Sequence, residues 1–230
     1  MTKKHIVVLT GAGMSAESGL KTFRDANGLW EGHDVMEVAT PEGFHANPEL
    51  VLEFYNQRRR QLLEVQPNSA HYDLAALESY FDVTIITQNV DDLHERAGST
   101  KVIHLHGELL KVRSTFNDSD IQEWTKDLRL GDSCKAGHQL RPHIVWFGEP
   151  VPLIEKAMSI CETADILIII GTSMQVYPAA GLMHYVPENI PIYFIDPKPN
   201  ISSKNNLTVF AETATSGMKA VLQMLDFERS

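Results

Sequence analysis

The chain has 230 residues and a formal net charge of −10, and 43% of its residues are hydrophobic against 22% charged. This length suits one α/β domain with a small insert, which buries a core without disulfide or metal staples. The acidic balance excludes nucleic acid and anionic membrane surfaces as expected partners, and the longest apolar run, residues 166–170, is too short to cross a membrane. The two cysteines, Cys134 and Cys161, form no disulfide pattern, and the first residues hold no signal-peptide core, so we expect a cytoplasmic protein.

Short apolar runs alternate with amphipathic segments along the chain. The runs predict buried strands because they are rich in Val and Ile and apolar on both faces: residues 5–10, 83–87, 101–106, 143–147, 166–170 and 190–195. Helices are predicted near residues 48–65, 69–80, 152–163, 178–186 and 213–225. This alternation predicts an α/β fold, a Rossmann-like parallel sheet with helices on both faces. Residues 1–230 then form one domain, with small-lobe inserts at about 20–66 and 111–142 over the carboxyl edge of the sheet.

The first predicted strand runs directly into a glycine-rich turn, Gly11-Ala12-Gly13-Met14-Ser15-Ala16. It matches G-x-G-x-x-[GA], in which the glycines let the backbone approach a pyrophosphate and a following helix offers its N–H groups. A tight strand–helix turn without a ligand is the alternative. Hydride-transfer folds place an acidic residue at the end of a second strand about 20 residues later, but residues 20–30 form a polar and aromatic loop. The nucleotide is therefore held differently from a hydride-transfer cofactor.

Two other predicted strands end in polar side chains. Asn89 and Asp91 follow the second predicted strand, and His106 ends the third. These ends share one edge of a parallel sheet, where a histidine that titrates near neutral pH can act as a general base. The alternatives are an Asx turn or helix cap at Asn89 and Asp91, and a structural histidine at position 106. His104 lies on the same face as His106 because strand side chains alternate, and we interpret it as a neighbour of the base.

Five segments together resemble the motifs of the sirtuin family and follow the family's order. They are residues 11–19 with Thr22-Phe23-Arg24, then Thr87-Gln88-Asn89-Val90-Asp91, His106-Gly107, Val145-Trp146-Phe147-Gly148-Glu149 and Gly171-Thr172-Ser173. The match spans nearly the whole chain and is highly specific. Sirtuins are NAD-dependent protein lysine deacylases. The resemblance implies a large Rossmann-like domain, a small lobe that usually holds zinc, and a tunnel between them for NAD and the acylated lysine of a protein or peptide.

The resemblance also implies a reaction and a role for each motif. The acyl oxygen attacks the nicotinamide ribose and nicotinamide leaves; a base then activates a ribose hydroxyl that attacks the acyl carbon, which gives O-acyl-ADP-ribose and the free lysine. His106 is implied as the base, with Asn89 and Asp91 as further catalytic residues. The implied NAD-binding residues are Gly11, Ala12, Gly13, Ser15, Ala16, Glu17, Phe23, Arg24, Trp30, Gln88, Asn89, Val90, Asp91, Gly171, Thr172, Ser173, Asp196, Pro197, Lys198 and Ala214. The implied substrate-binding residues are Tyr55, Arg58, Val145, Trp146, Phe147, Gly148 and Glu149.

Two of these assignments carry a specific expectation. Phe23 would shield the reactive ribose from water, and Arg24 would bind a phosphate group through its guanidinium. The family usually has Asn where Asp196 stands. Because a carboxylate also accepts hydrogen bonds from ribose hydroxyls, the adenosine contact remains an expectation.

The helix predicted near residues 48–65 indicates which acyl group is preferred. Arg58 falls on an apolar stripe whose members are three and four residues apart: Val51, Phe54, Tyr55, Leu62 and Val65. An arginine there needs an anion, and its guanidinium binds a carboxylate bidentately while Tyr55 adds a hydrogen bond. The pair is similar to the acyl pocket of desuccinylase-type sirtuins, with Ala39 leaving room, which implies succinyl or malonyl in preference to acetyl. The alternative is that Arg58 pairs with Glu53 or extends to solvent.

The family's zinc site is incomplete in this chain. The resemblance implies two C-x-x-C pairs before the substrate clamp, but the first is absent and the second is reduced to Cys134, with His138 four residues later. Two ligands do not close a tetrahedral site, so we predict that no zinc is bound. A capping box at residues 119–122 and an apolar stripe of Ile121, Trp124 and Leu128 predict a short helix that orders the lobe instead. The alternative is a lobe that is mobile until substrate binds.

Two other functions remain open at this point. An ADP-ribosyltransferase or NAD hydrolase would use the same NAD residues but leave Tyr55 and Arg58 without a role. A non-catalytic NAD- or acyl-lysine-binding module fits a degenerate zinc lobe but not an intact His106. The natural protein substrates, the order of acyl preference and the oligomeric state stay open, and a monomer is compatible with the sequence.

Overall fold

The computed structural model describes residues 2–21, 29–30 and 32–226. The strands are β1 (His5–Thr10), β2 (Leu29–Trp30), β3 (His33–Asp34), β4 (Asp82–Thr87), β5 (Val102–His104), β6 (Gly107–Ser114), β7 (Ile121–Glu123), β8 (Leu140–Ile144), β9 (Ile166–Ile170), β10 (Ile192–Ile195) and β11 (Leu207–Phe210). The α-helices are α1 (Val35–Val38), α2 (Pro41–Ala46), α3 (Pro48–Glu64), α4 (Ser69–Leu77), α5 (Leu93–Arg96), α6 (Ile154–Cys161) and α7 (Ala214–Met224). Short 3₁₀ helices span Ala12–Met14, Ala16–Ser18 and Ala179–His184. None of the helices in the described ranges has the length and apolar character needed to span a bilayer.

Six parallel strands form the main sheet in the order β11-β10-β9-β1-β4-β5. Helices α4 and α7 cover one face, where Leu74 and Met218 join the core, and α6 covers the other through Ala157 and Cys161. The strands are apolar on both faces because both faces are covered. The predicted Rossmann-like sheet is confirmed. The strand order reverses between β1 and β9, and doubly wound sheets bind ligands at the carboxyl edge of such a switch point.

Two strand predictions are wrong. Residues 143–147 are predicted as a strand of the main sheet, but β8 pairs antiparallel with β6 in a separate sheet of order β7-β6-β8. The run is apolar because Ile144 and Trp146 pack against α3 in a different core cluster. An apolar run indicates burial but not which sheet the strand joins, so the prediction was wrong. The second error is the omission of β11, which closes the sheet next to β10. Three of its four residues are half-buried at this edge, which weakens the apolar signal.

The helix predicted from the capping box at residues 119–122 is also wrong. Residues 121–123 form strand β7, in register with β6 through the pair Arg113 and Ile121. Ile121 is 44% exposed, whereas Leu128 is buried, so the predicted stripe does not share one face. The segment adopts the strand because β6 offers it backbone hydrogen bonds, and this tertiary pairing overrides the local signal.

Helix α3 joins the main sheet to the small lobe, by which we mean the β7-β6-β8 sheet and its loops. The predicted stripe is confirmed on one face, where Val51, Phe54, Tyr55 and Leu62 are buried. The other face carries Leu52 into the small-lobe core. The α3 residue Asn56 donates to the carbonyl of Leu128 at 3.0 Å and accepts from its N–H at 2.8 Å. Apolar packing and a paired amide therefore fix the lobe on α3.

Candidate active site

The glycine-rich turn after β1 lies against the turn after β9. The N–H of Gly13 donates to the carbonyl of Gly171 at 2.8 Å, and the N–H of Gly11 donates to that of Ile170 at 3.0 Å. A Cβ at Gly13 would lie 2.6 Å from the Cα of Gly171, and one at Gly11 would lie 2.8 Å from the Gly171 oxygen. No side chain fits between the two turns. They form a backbone cradle at the switch point of the sheet.

The residues after this turn form two 3₁₀ helices, so the predicted helix is not an α-helix. The N–H groups of Ser15 and Gly19 each bond the carbonyl three residues earlier, which closes single turns. Glu17 lies on the second turn, and its carboxylate accepts from the Thr215 N–H at 2.9 Å and hydroxyl at 2.7 Å. Ala214 is the buried first residue of α7. Glu17 therefore ties the glycine-rich turn to the start of α7.

A buried polar chain joins this turn to the end of β4. The Ser15 hydroxyl donates to Asp91 Oδ2 at 2.9 Å, and the Asn89 side-chain amide donates to Ser15 Oγ at 3.1 Å. Asp91 Oδ1 also accepts from the N–H of Leu93, two residues later, which is the Asx-turn contact considered as an alternative. Asp91 is not a helix cap, because the N-cap of α5 is Asp92. Burial raises the pKa of Asp91, and the hydrogen bonds from Ser15 and Leu93 offset part of this. The structure thus brings together Ser15 of the first motif with Asn89 and Asp91 of the second.

His106 is held in one tautomer at the same edge, in the turn after β5 and not at the strand end predicted for it, because β5 ends at His104. Its Nδ1 lies 3.1 Å from the carbonyl oxygen of Gln88. A carbonyl only accepts hydrogen bonds, so Nδ1 carries the hydrogen and Nε2 of the neutral ring presents a lone pair. Burial lowers the pKa of His106, and the Gln88 contact offsets part of this, so the ring is neutral at physiological pH. The Gln88 side chain donates to Thr172 Oγ1 at 3.2 Å, which links the histidine to the turn after β9.

His104 faces two acceptors on neighbouring elements. Its Nδ1 lies 3.1 Å from the carbonyl oxygen of Asn89, and its Nε2 lies 2.7 Å from Glu95 Oε1 on α5. Burial alone would lower the pKa of His104, but the hydrogen bond and charge of Glu95 outweigh burial and raise it. The N–H of Leu109 donates to the carbonyl of the next residue, Val90, at 2.8 Å. Three consecutive carbonyls after β4 are therefore each bound by a donor from the chain after residue 103.

The ends of β9 and β10 lie side by side because these strands are paired. Asp196 directly follows β10, is 2% exposed, and accepts at Oδ1 from the N–H of Lys198 at 2.8 Å. Pro197 and Lys198 are exposed beside it. The carbonyl of Ser173 accepts from the Asn200 amide at 3.3 Å. These expected NAD-binding residues thus share the carboxyl edge with the glycine cradle.

Three predicted NAD residues cannot be placed in this geometry. Phe23 and Arg24 lie outside the described residues. Trp30 lies in β2, whose backbone pairs with His33 of β3, and its side chain lies outside the described part.

The segment after β8 leads from His106 to the surface. The N–H of Val145 donates to the carbonyl of His106 at 2.9 Å, and the N–H of Phe147 donates to that of Ala39 at 2.9 Å. Phe147 is 45% exposed. Gly148 has a φ of 89°, a left-handed conformation that favours glycine. The predicted substrate clamp therefore begins beside the histidine and turns outwards.

Tyr55 and Arg58 lie on α3 behind this segment. The Tyr55 hydroxyl accepts from Trp146 Nε1 at 2.9 Å, which leaves its own hydrogen to donate. Desolvation raises the pKa of Tyr55, and the Trp146 hydrogen bond and the charge of Arg58 offset part of this. The half-buried Arg58 lies with its guanidinium 5.7 Å from the Phe54 ring centroid. Glu53, the alternative partner considered for Arg58, is paired with a different arginine, Arg60, at 2.7 Å.

The sequence analysis missed two arginines that hold Glu149. Arg141 pairs with Glu149 at 2.6 Å and Arg113 pairs with it at 3.3 Å. Glu149 also accepts from the Trp146 N–H at 2.8 Å, and the Arg141 guanidinium lies 3.3 Å from the Trp146 ring centroid. Burial raises the pKa of Glu149, but the contacts from Arg141 and Trp146 outweigh it and lower the pKa. The sequence carried no clear signal for them, because Arg113 and Arg141 lie among polar residues within the predicted insert at 111–142.

The small lobe near Cys134 is held by packing. The Cys134 N–H donates to the carbonyl of His138 at 2.8 Å, and the His138 ring stacks on Phe116 at 4.4 Å. Among the residues that the structure describes, no three His, Cys, Asp or Glu side chains come together as a possible metal site. Cys134 and His138 therefore do not fit the closed four-ligand zinc site of the family. Cys134 belongs to an apolar cluster with Leu52, Val112, Leu128 and Leu140.

A doubly wound sheet, a glycine cradle at its switch point and a neutral histidine beside an amide and a carboxylate define a nucleotide-dependent enzyme of the Rossmann-like class. Comparison with known families identifies it further. The model of the Sir2 family matches residues 11–178. The chain belongs to the Sir2 family, the sirtuins.

Individual relatives cover nearly the whole chain. A Helicobacter pylori protein named NAD-dependent protein deacylase is 58% identical over 223 residues, 96% of this chain and 97% of its own length. A Bacteroides thetaiotaomicron protein of the same name is 55% identical over 229 residues, 96% of this chain and 98% of its own length. Among solved structures, a Sir2 homolog–NAD complex superposes with a TM-score of 0.87 at 39% identity and covers 97% of this chain and 90% of its own.

Proposed function

We propose that this protein is an NAD-dependent protein lysine deacylase that removes succinyl and malonyl groups in preference to acetyl and forms nicotinamide and O-acyl-ADP-ribose. The observation that carries the proposal is His106, a half-buried neutral histidine whose Nδ1 is fixed on the Gln88 carbonyl. It stands at the same edge as the chain of Asn89, Ser15 and Asp91. The names of the relatives and the NAD-bound homolog support the cofactor.

The residues present fit NAD as a co-substrate. Gly11, Gly13 and Gly171 leave a backbone cradle that a Cβ would fill, and dinucleotide phosphates approach such turns closely. When bound, NAD supplies a glycosidic bond to nicotinamide and a ribose that accepts the acyl group. Around this cradle we propose the residues of the sequence-based assignment: Ala12, Ser15, Ala16, Glu17, Phe23, Arg24, Trp30, Gln88, Asn89, Val90, Asp91, Thr172, Ser173, Asp196, Pro197, Lys198 and Ala214.

The chain's own groups suit base catalysis. His106 Nε2 takes a proton from a hydroxyl, and the Nδ1–H bond to Gln88 stabilises the imidazolium that forms. Asn89 and Asp91 are buried, at 7% and 6% exposure, and each is hydrogen-bonded to Ser15. They orient the amide and hydroxyl groups of the co-substrate with little rotamer freedom to lose.

The acidic acyl preference rests on α3. The Arg58 guanidinium would bind the distal carboxylate of a succinyl or malonyl group, and the Tyr55 hydroxyl still has a hydrogen to donate to it. The Trp146 contact fixes Tyr55 and links this pocket to the segment after β8, where Val145, Phe147, Gly148 and Glu149 are proposed to bind the peptide. An acetyl group offers no carboxylate to pair, so it is the poorer substrate.

We also propose that the small lobe folds without zinc. Its support is the packing of Cys134 among leucines and valine, and the pair of hydrogen bonds between Asn56 and Leu128. A cysteine used in this way behaves as a small apolar side chain. No step of the proposed reaction needs the metal.

A panel of acetyl-, malonyl-, succinyl- and glutaryl-lysine peptides tests the function. With NAD and enzyme, mass spectrometry is expected to show loss of the acyl mass, fastest for the acidic groups, with one nicotinamide released per lysine. Nicotinamide release at the same rate without peptide would favour an NAD hydrolase. ADP-ribose left on protein would favour an ADP-ribosyltransferase.

A further inference from the structure

The two histidines at the end of β5 bind neighbouring carbonyls of one turn. His106 holds the carbonyl of Gln88, and His104 holds the carbonyl of Asn89. Asn89 is the residue whose side-chain amide bonds Ser15, which in turn bonds Asp91. The backbone carbonyl and the side chain of Asn89 are thus each fixed by a hydrogen bond.

The partners of His104 define its protonation state. The Asn89 carbonyl can only accept, so Nδ1 carries a hydrogen, and the facing Glu95 carboxylate at Nε2 also accepts. Two acceptors require two N–H groups, which only the imidazolium has. The alternative is that the shared proton stays on Glu95, but an ordinary carboxyl is more acidic than an imidazolium by about two pH units. The Glu95 side chain is also 41% exposed, so water stabilises its charge.

Other charges near His104 agree with this state. Glu95 on α5 and Glu108 on β6 raise its pKa. Burial raises the pKa of the nearby Asp91, and the charge of His104 offsets part of that rise. Two basic groups lie on neighbouring elements. Burial lowers the pKa of His94 and keeps it neutral, so it adds no charge beside His104. The charge of Lys111 lowers the pKa of Glu95, which favours the carboxylate that faces His104.

We propose that His104, kept as an imidazolium by Glu95, is a positioning residue that locks the Asn89 carbonyl and thereby the Asn89–Ser15–Asp91 chain for NAD. This role deepens the proposed function and rests on it. His104 acts through Asn89, while His106, in the turn after β5, stays neutral as the base. Two imidazoles only two residues apart therefore differ in charge: His104 is charged because its Nε2 faces the Glu95 carboxylate, and His106 is neutral.

The protonation state is tested in the ligand-free protein by nitrogen NMR of labelled histidines. His104 is expected to show two protonated ring nitrogens near neutral pH, whereas His106 shows a hydrogen on Nδ1 alone. In Glu95→Gln, whose amide oxygen still accepts a hydrogen bond, His104 is expected to become neutral. The matched control is Glu108→Gln, which removes a nearby charge that does not bond the ring and leaves the imidazolium in place. A neutral His104 in the wild-type protein would overturn the proposal.

A pair of substitutions at position 104 tests the positioning role. Asn places its amide N–H where Nδ1 stands, so His104→Asn keeps the bond to the Asn89 carbonyl, whereas His104→Gln reaches towards Glu95 and loses that bond. We expect NAD affinity, measured by calorimetry, and kcat/KM for NAD to fall about tenfold or more in His104→Gln. The fall in His104→Asn should be several times smaller than the fall in His104→Gln. The KM for the acyl-peptide should not change. A general loss of folding would instead lower the Tm and the apparent kcat and leave both KM values unchanged.

These readouts separate the two proposals. If wild-type protein binds NAD but removes no acyl group, the proposed function fails while the affinity series still tests His104. If the wild-type protein deacylates and His104→Gln binds and uses NAD like wild type, the positioning role fails alone.

Discussion

The carboxyl edge of the main sheet and the small lobe are organised by different forces. At the edge, polar side chains are buried and hydrogen-bonded to backbone carbonyls and to each other, as in the contacts of His106, His104 and Asn89. In the small lobe, Cys134 and Leu128 lie in an apolar cluster that docks on α3. Buried polar contacts organise the first region, whereas apolar packing and one paired amide, Asn56 with the Leu128 backbone, hold the second.

The two regions therefore tolerate different substitutions. Each donor at the edge matches one carbonyl or carboxylate, so a substitution leaves a buried polar atom unpaired. The apolar cluster of the lobe needs volume more than particular atoms, so cysteines of the family pattern are replaceable there. Substitutions should therefore separate activity at the edge from stability in the lobe.

The largest effect is expected from His106→Ala at the edge. Removal of the general base should lower kcat by about 10²- to 10⁴-fold, with a Tm close to that of wild type. Steady-state kinetics with succinyl-peptide and a thermal melt check both parts. A variant that keeps more than a tenth of the wild-type kcat would contradict the assigned base.

The next largest effect is expected from Arg58→Met on α3, between the two regions. Loss of the guanidinium should lower the ratio of succinyl to acetyl turnover about 10- to 100-fold, because a charge-assisted contact is lost. The control is Arg60→Met on the same helix, whose arginine pairs with Glu53 and Asp127 on the exposed side. An equal ratio of succinyl to acetyl turnover in Arg58→Met and wild type would show that Arg58 does not bind the acyl group.

In the lobe, Asn56→Ala should act on stability. It deletes both hydrogen bonds to Leu128 and one from the buried Arg59, which costs about 1–3 kcal/mol of unfolding free energy and lowers the Tm by several degrees. Gln57→Ala, an exposed neighbour, should change the Tm little. Thermal melts compare the two, and equal Tm values would show that the paired amide does not hold the lobe.

A smaller effect is expected in the pH dependence of the edge. The base must be neutral, and burial lowers the pKa of His106 from its ordinary value of 6.5. The acid limb of kcat/KM should therefore have its midpoint below 6.5. Rates measured across this range at constant ionic strength give the midpoint. A midpoint above the ordinary value would mean that burial does not control this ring.

The smallest effect is expected from metal removal. If the small lobe folds without zinc, as we propose, a strong chelator should leave the Tm and the deacylation rate unchanged. Elemental analysis of the untreated protein is the direct measurement. One zinc per chain would show that the lobe depends on a metal after all.

Much of this protein follows from its sequence alone. The apolar runs predict β1, β4, β9 and β10, because parallel strands covered on both faces must be apolar throughout. Motif spacing also locates Ser15, Asn89 and His106 at strand ends, and the fold brings such ends to one edge. The apolar stripe of α3 is readable because helix burial repeats at three and four residues.

Tertiary contacts decided what local patterns could not. Residues 121–123 became strand β7 because β6 offered hydrogen bonds that a capping box cannot outweigh, and β8 joined the small lobe although its run looked like a main-sheet strand. The partners of Glu149, and the opposite charge states assigned to His104 and His106, depend on atoms far apart in the chain. Hydrogen bonding and burial set these states, and both exist only once the chain has folded.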